Sequence, residues 1–299
     1  MPINLRPYQG QTDHATIAEL DRLMGLGILN YCDPQQDMVF AEVGGQTVGY
    51  GRVWLNVRDD ELRYFLEVNL HDSRAADVER QLFDWVQARA EAMRQTHPHS
   101  IAHANKVFAP DDRPSLITLL DQAGYTVERT DLTLTWLLAD PIPDRPLPAG
   151  LELRPLAWQH GHQLAALMDE AFGMSGRDKV MTSLMDEAEF EAWLSGLPAT
   201  VDASLAAWSV DEDNVVCMAL NQIDEAAGRG KINHICTCQT WRRRGLARAL
   251  IAHSLRAFQT QGLREAYLEV NDFNTPALQL YTHWGFQVIS RSWLYSKAG

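Results

Sequence analysis

The chain is short of cysteine, short of positive charge, and without a long apolar run. Its four cysteines, Cys32, Cys217, Cys236 and Cys238, form no disulfide framework. Cys236 and Cys238 stand two apart on a predicted strand and so share a face, but no second pair lies at zinc spacing, which argues against a metal site. Lysine and arginine total 26 against 39 aspartates and glutamates, a formal net charge of −13. That balance argues against nucleic acid or an anionic membrane surface as a general partner. No stretch of about 18 apolar residues is present and no signal peptide is recognised. A soluble, cytoplasmic protein is expected.

What is present is enough apolar material for two cores: 46% hydrophobic residues over a length of 299, room for two domains of about 150 residues each. Strand-like runs fall at Ile3–Tyr8, Met38–Val43, Thr47–Asn56, Leu62–Leu70, Ile101–Phe108 and Leu132–Leu138, with Gly44-Gly45 as a hairpin signal. Helical spacing marks Thr16–Gly25, Arg74–Met93 and Pro114–Gln122. Asp140 to Gly150 is dense in proline and reads as an extended, semi-rigid linker. Beyond it the pattern restarts, since Leu151-Glu-Leu-Arg-Pro155 repeats Ile3-Asn-Leu-Arg-Pro7 and Gly285-Phe286 answers Gly124-Tyr125. The second copy carries extra length at Phe172–Pro198, including a predicted helix at Glu187–Leu194. The expected layout is therefore 1–139, a linker at 140–150, and 151–299, with the same α/β domain in both halves.

The copies differ where chemistry would be. In the second, a predicted strand at Ile232–Cys238 runs into Trp241-Arg-Arg-Arg-Gly-Leu-Ala-Arg248 and a helix. A helix N-terminus is an anion site by virtue of its free N–H groups and dipole. Gly245 allows close backbone approach, and Arg242, Arg243, Arg244 and Arg248 add charge-assisted hydrogen bonds. In an acidic chain this basic cluster is the exception, and a solvated helix face is the bland alternative. The first copy has His71-Asp-Ser-Arg-Ala-Ala-Asp77 instead, with no glycine, and Asp77 and Glu79 would repel a diphosphate. Counted back from the Gly-aromatic pair, Asn274 corresponds to Arg113 and Tyr281 to Leu120.

These residues resemble the GCN5-related N-acetyltransferase (GNAT) superfamily. Its pyrophosphate signature, Arg/Gln-x-x-Gly-x-Gly/Ala, is met by Arg242, Gly245 and Ala247; the usual preceding proline is Gln239 here. Its second signature is met by Asn274, Ala277, Leu280, Tyr281, Gly285 and Phe286. The resemblance covers 151–299 in motifs and 3–139 in layout, and the tandem build is similar to that of mycothiol synthases. It implies two GNAT-like domains, each with a mixed, mostly antiparallel sheet flanked by helices, and a splayed parallel strand pair in the C-terminal one. It implies acetyl-CoA as acyl donor. Backbone contacts would come from Ile235, Cys236 and Thr237, and the diphosphate would sit on Arg243, Arg244, Gly245, Leu246, Ala247 and Arg248, with Asn274 and Ala277 nearby. Tyr281 stands at the position of the acid that protonates the leaving thiolate; a core aromatic is the alternative. Two residues are candidates for the base. Glu269 lies in a Leu-Glu-Val step similar to that of ribosomal-protein N-terminal acetyltransferases, and His234 lies on the neighbouring strand. A salt bridge, for instance with Arg264, is the alternative for Glu269, and a hydrogen-bonded core histidine for His234. The expected acceptor is a small primary amine. A protein N-terminus or lysine is second, and a non-catalytic CoA-binding module is the rival from another class. No nucleic acid, membrane or metal is expected, and the chain would be a monomer or homodimer.

Overall fold

The computed structural model describes residues 2–20, 29, 32–57, 61–72, 75–97, 101–156, 161–172, 205–210, 213–224 and 227–299. The predicted helix at Glu187–Leu194 lies outside them. The chain forms two compact units, the first of which takes residues from both ends of the sequence. One comprises Met1–Leu132, Asn271–Phe273 and Ser290–Gly299; the other comprises Thr133–Val270 and Asn274–Ile289.

In the first unit β1 (Ile3–Pro7), β2 (Met38–Val43), β3 (Gln46–Val57) and β4 (Glu61–Leu70) pair antiparallel in sequence order. The next strand, β5 (Ala102–Pro110), runs parallel to β4, and β6 (Thr126–Leu137) follows it in sequence. On β4 alternate residues Leu62, Tyr64, Leu66 and Val68 are buried, the period-two signature of a strand with one covered face. They meet Val78, Leu82, Phe83 and Val86 of the helix Ala76–Arg94 and Leu116, Leu119 and Leu120 of the helix Pro114–Gln122. Fully burying such a side chain stabilises by about 1.5–3 kcal/mol. The last strand of the chain completes this unit: Ser292–Ala298 pairs antiparallel with β5, and Tyr295 enters the same core.

The second unit repeats the plan. β7 (Leu151–Pro155), β8 (Leu205–Ser209), β9 (Asn214–Asp224) and β10 (Arg229–Thr237) pair antiparallel in order, and β11 (Glu265–Asn271) runs parallel to β10. One face packs Ala206, Trp208, Met218, Leu220 and Cys236 against the helix Gly161–Phe172. The other packs Ala207, Val216, Cys217 and Ala219 against Leu246 and Leu250 of the helix Leu246–Thr260. The proline-rich stretch is laid along that second helix, where Gln259 donates to the Leu138 carbonyl at 2.9 Å and Arg256 to Asp144 at 3.1 Å.

Candidate active site

The parallel pairing of β10 with β11 is brief. It covers Arg229 to Lys231 opposite Glu265 to Tyr267, although β10 continues to Thr237 and β11 to Asn271. Beyond Lys231 the strands therefore part, and the backbone of β10, Ile235, Cys236 and Thr237 included, faces a gap on one side. A bulge between Ile232 and His234 resets the register with β9 at the mouth of that gap, re-aiming the backbone next to it.

At the far end of β10 the loop turns sharply into the helix Leu246–Thr260. Arg243 has φ +60° and Gly245 φ +89°. Residues in the left-handed region turn successive N–H groups inward, making a concavity that suits an anion. Glycine tolerates that conformation without strain, whereas arginine does not, so Arg243 stores about 1–3 kcal/mol. Gly245 is the N-cap of the helix and offers no side-chain cap, so the first N–H groups await another acceptor. Arg242, Arg243, Arg244 and Arg248 are exposed around them. Arg242 donates to the Thr237 carbonyl at 3.1 Å, and the Arg244 guanidinium lies 4.7 Å from the Trp241 ring centroid. A diphosphate fits this loop: the donors, the space at Gly245 and the positive charge are all present.

Asn274 begins the helix Thr275–Trp284, its side chain accepting from the Ala277 N–H at 3.3 Å. It thus has a capping role. Tyr281 is 9% exposed and its ring lies 6.0 Å from that of Phe286, edge on. Burial pushes its phenol up to about 12, so it remains protonated at neutral pH.

The base candidates differ in setting. On β11, Leu268 and Val270 are buried and Glu269 points to the opposite face, its side chain 44% exposed. The strand is therefore covered on one face only at Glu269. The carboxylate pairs with Lys231 at 2.7 Å. Arg264, the partner considered from sequence, donates instead to the Ala227 carbonyl at 2.8 Å. Sequence reasoning missed Lys231, which falls one residue before the predicted strand; its signal was a lysine at the start of an otherwise apolar run. Burial, and then the Lys231 ammonium, push the His234 imidazole down to about 4. His234 is thus a neutral ring and a weak base. Cys236 is buried, and burial raises its thiol well above the ordinary range.

The first unit contains the counterpart of the gap, with its own occupant. β4 and β5 pair only from Glu61 to Phe65 opposite Ala102 to Lys106, while β4 runs on to Leu70 and β5 to Pro110. Arg113 reaches in and donates to the Val68 carbonyl at 3.3 Å. Its guanidinium also pairs with Glu79, which accepts from Ser115 as well. Glu79 lies in the first turn of the helix Ala76–Arg94 and is 0% exposed. A carboxylate at the positive end of a helix takes the place an external anion would use. The sequence suggested repulsion by Asp77 and Glu79; the structure shows occupation by Glu79. Arg113 is the N-cap residue of the helix Pro114–Gln122, as Asn274 is of Thr275–Trp284, and Leu120 is buried.

Among the described residues no cluster of His, Cys, Asp and Glu is placed to hold a metal, and no helix is long and apolar enough to cross a membrane. Comparison with known proteins adds to this geometry. No curated protein sequence matches the chain. Over 99% of its length the fold matches a GCN5-related N-acetyltransferase from Sphaerobacter thermophilus, at 22% identity and TM-score 0.76, covering 95% of that chain. It also matches a tandem GNAT protein from the clavulanic acid biosynthesis pathway, at 14% identity and TM-score 0.70, covering 99% of this chain and 98% of that one. Residues 163–286, which include the gap, the turn at Gly245 and the helix of Tyr281, match the family model described as the acetyltransferase (GNAT) family.

Proposed function

We propose that the chain transfers the acetyl group of acetyl-CoA to the primary amine of a small molecule, using only the second unit. The observation that carries this is the gap between β10 and β11 leading from the glycine-containing nest at Arg243–Gly245. A diphosphate held by Arg242, Arg243, Arg244, Gly245, Leu246, Ala247 and Arg248 would leave the pantetheine arm free to lie along Ile235, Cys236 and Thr237 as an extra strand. Backbone N–H groups aimed at a developing oxyanion are preorganised donors of the kind that stabilise acyl transfer. Tyr281 supplies a proton to the leaving thiolate, and burial keeps its phenol in the protonated form that can donate. Glu269 is preferred over His234 as base, because it is accessible and His234 is held neutral and weakly basic. Ala277 and Asn274 shape the helix that presents Tyr281. On this reading 1–139 is a cofactor-free twin, joined through the stretch 140–150, in a cytoplasmic protein.

The test is an amine-library screen with the full chain and acetyl-CoA, reading CoA release with mass detection of product. An acetylated small amine is the expected outcome. Tight acetyl-CoA binding with no turnover of any amine, or acetylation confined to protein N-termini and lysines, would reject it.

A further inference from the structure

The closed end of the β10/β11 gap carries more chemistry than a base alone requires. On the side of the helix Leu246–Thr260 there is no room: a Cβ on Gly230 would lie 2.5 Å from the Phe258 ring, and Asn221 bonds Ser254 at 2.9 Å. An acceptor must therefore arrive on the opposite face, where Lys231, Tyr267 and Glu269 stand together. Lys231 and Tyr267 form the last paired rung before the strands part. The Lys231 ammonium lies 2.7 Å from Glu269 and 5.7 Å from the centre of the Tyr267 ring, with the Arg229 guanidinium 4.7 Å from that same ring. The Lys231 side chain is 11% exposed and that of Glu269 44%. No other described residue hydrogen-bonds either charged group. Three donors on an ammonium and two oxygens on a carboxylate leave capacity on both.

We infer that the acceptor is an amino acid, with its carboxylate on the same short skeleton as the reacting amine. A bare ammonium ion approaching Glu269 would meet a cation already seated on that carboxylate, and like charges at such range repel. A zwitterion laid head to tail along the pair avoids this. Its ammonium meets Glu269, its carboxylate meets Lys231, and all four charges alternate. On the acetyl-transfer reading, on which this inference rests, the ammonium gives one proton to Glu269. The neutral nitrogen then forms the new N–C bond at the thioester carbonyl as the C–S bond breaks. The nitrogen loses a second proton to solvent, Glu269 gives up to solvent the one it took, and the thiolate takes one from Tyr281, which solvent restores. The products are the N-acetyl amino acid and CoA.

The experiment sets common L-amino acids beside the amines that lack only their carboxylate, for example L-phenylalanine beside phenethylamine, using the full chain, acetyl-CoA and CoA release. At least one amino acid should exceed its partner by about tenfold or more in kcat/KM, a difference worth ~1.4 kcal/mol. Lys231→Met should abolish the preference and Lys231→Arg should keep most of it. Equal or better turnover of the decarboxylated amines overturns the inference. So does a complete absence of turnover in both series while calorimetry shows acetyl-CoA bound, a result that leaves the cofactor site standing. Failure of acetyl-CoA to bind at all overturns the underlying reading as well. The wild-type comparison decides the matter even where a Lys231 variant does not fold.

Discussion

Two buried titratable groups in the second unit respond to pH in different ways. Tyr281, with its phenol pushed up to about 12, is not titrated under ordinary conditions. Its replacement therefore reports on proton donation alone: Tyr281→Phe should lower kcat by ~10²–10⁴ and leave calorimetric acetyl-CoA affinity nearly unchanged. A wild-type rate would remove it from the mechanism. His234 has a folded pKa of about 4 against an ordinary value of 6.5. Between those values the unfolded chain binds more protons than the folded one, so stability rises with pH across that window. The contribution is fully present above the unfolded value and is lost on acidification toward pH 4, by up to ~3 kcal/mol. Melting curves from neutral to mildly acid pH should show His234→Gln with a shallower decline than the wild type; parallel declines would contradict the assignment. At this scale the turn at Gly245 and the helix that holds Tyr281 were legible because a motif carries them. Lys231 was not, because its pairing with Glu269 depends on where two strands part, and spacing along one strand does not encode that.

Among the elements, the turn from β10 into the helix Leu246–Thr260 is the one whose geometry is least replaceable. Gly245→Asp places both a side chain at positive φ and a negative charge where a diphosphate would sit. Arg242→Glu reverses a charge on an exposed residue and should leave the fold intact. Each should abolish acetyl-CoA binding by calorimetry, and unchanged affinity in either would reject the loop as the cofactor site. The helix Pro114–Gln122 was readable end to end, since proline at its start and Gly124 beyond its end mark both limits. Strand ends were harder to place. The strand expected at Leu132–Leu138 spans Thr126–Leu137, its first half polar and half-exposed and so without an apolar alternation to reveal it.

At the level of the whole molecule the final strand is what closes the first unit. Ser290–Gly299 belongs to the first unit, with Tyr295 in its core and Ser296 accepting from Lys106 at 3.0 Å. A chain ending at Ile289 should therefore lose the first unit's melting transition, whereas a remote truncation would spare it. Differential scanning calorimetry would show this directly, and an unchanged thermogram would refute it. Calorimetric titration of the full chain with acetyl-CoA should give one site per chain; two sites of similar affinity would show that Glu79 and Arg113 yield to the ligand. The repeated plan of the halves could be read from Ile3–Pro7 and Leu151–Pro155. The return of the C-terminal strand to the first unit could not, since no local pattern in Gln287–Ala298 says which neighbour it joins.

The pairing of Glu79 with Arg113 also bears on which substitutions the first unit can absorb. Removing either residue alone strands the other as a buried, uncompensated charge, a change that costs about 3–5 kcal/mol. Opening the gap between β4 and β5 to a ligand requires both to change, so every one-step route begins with a loss of stability. The pair is a lock with two bolts, and drawing one of them weakens the door without opening it.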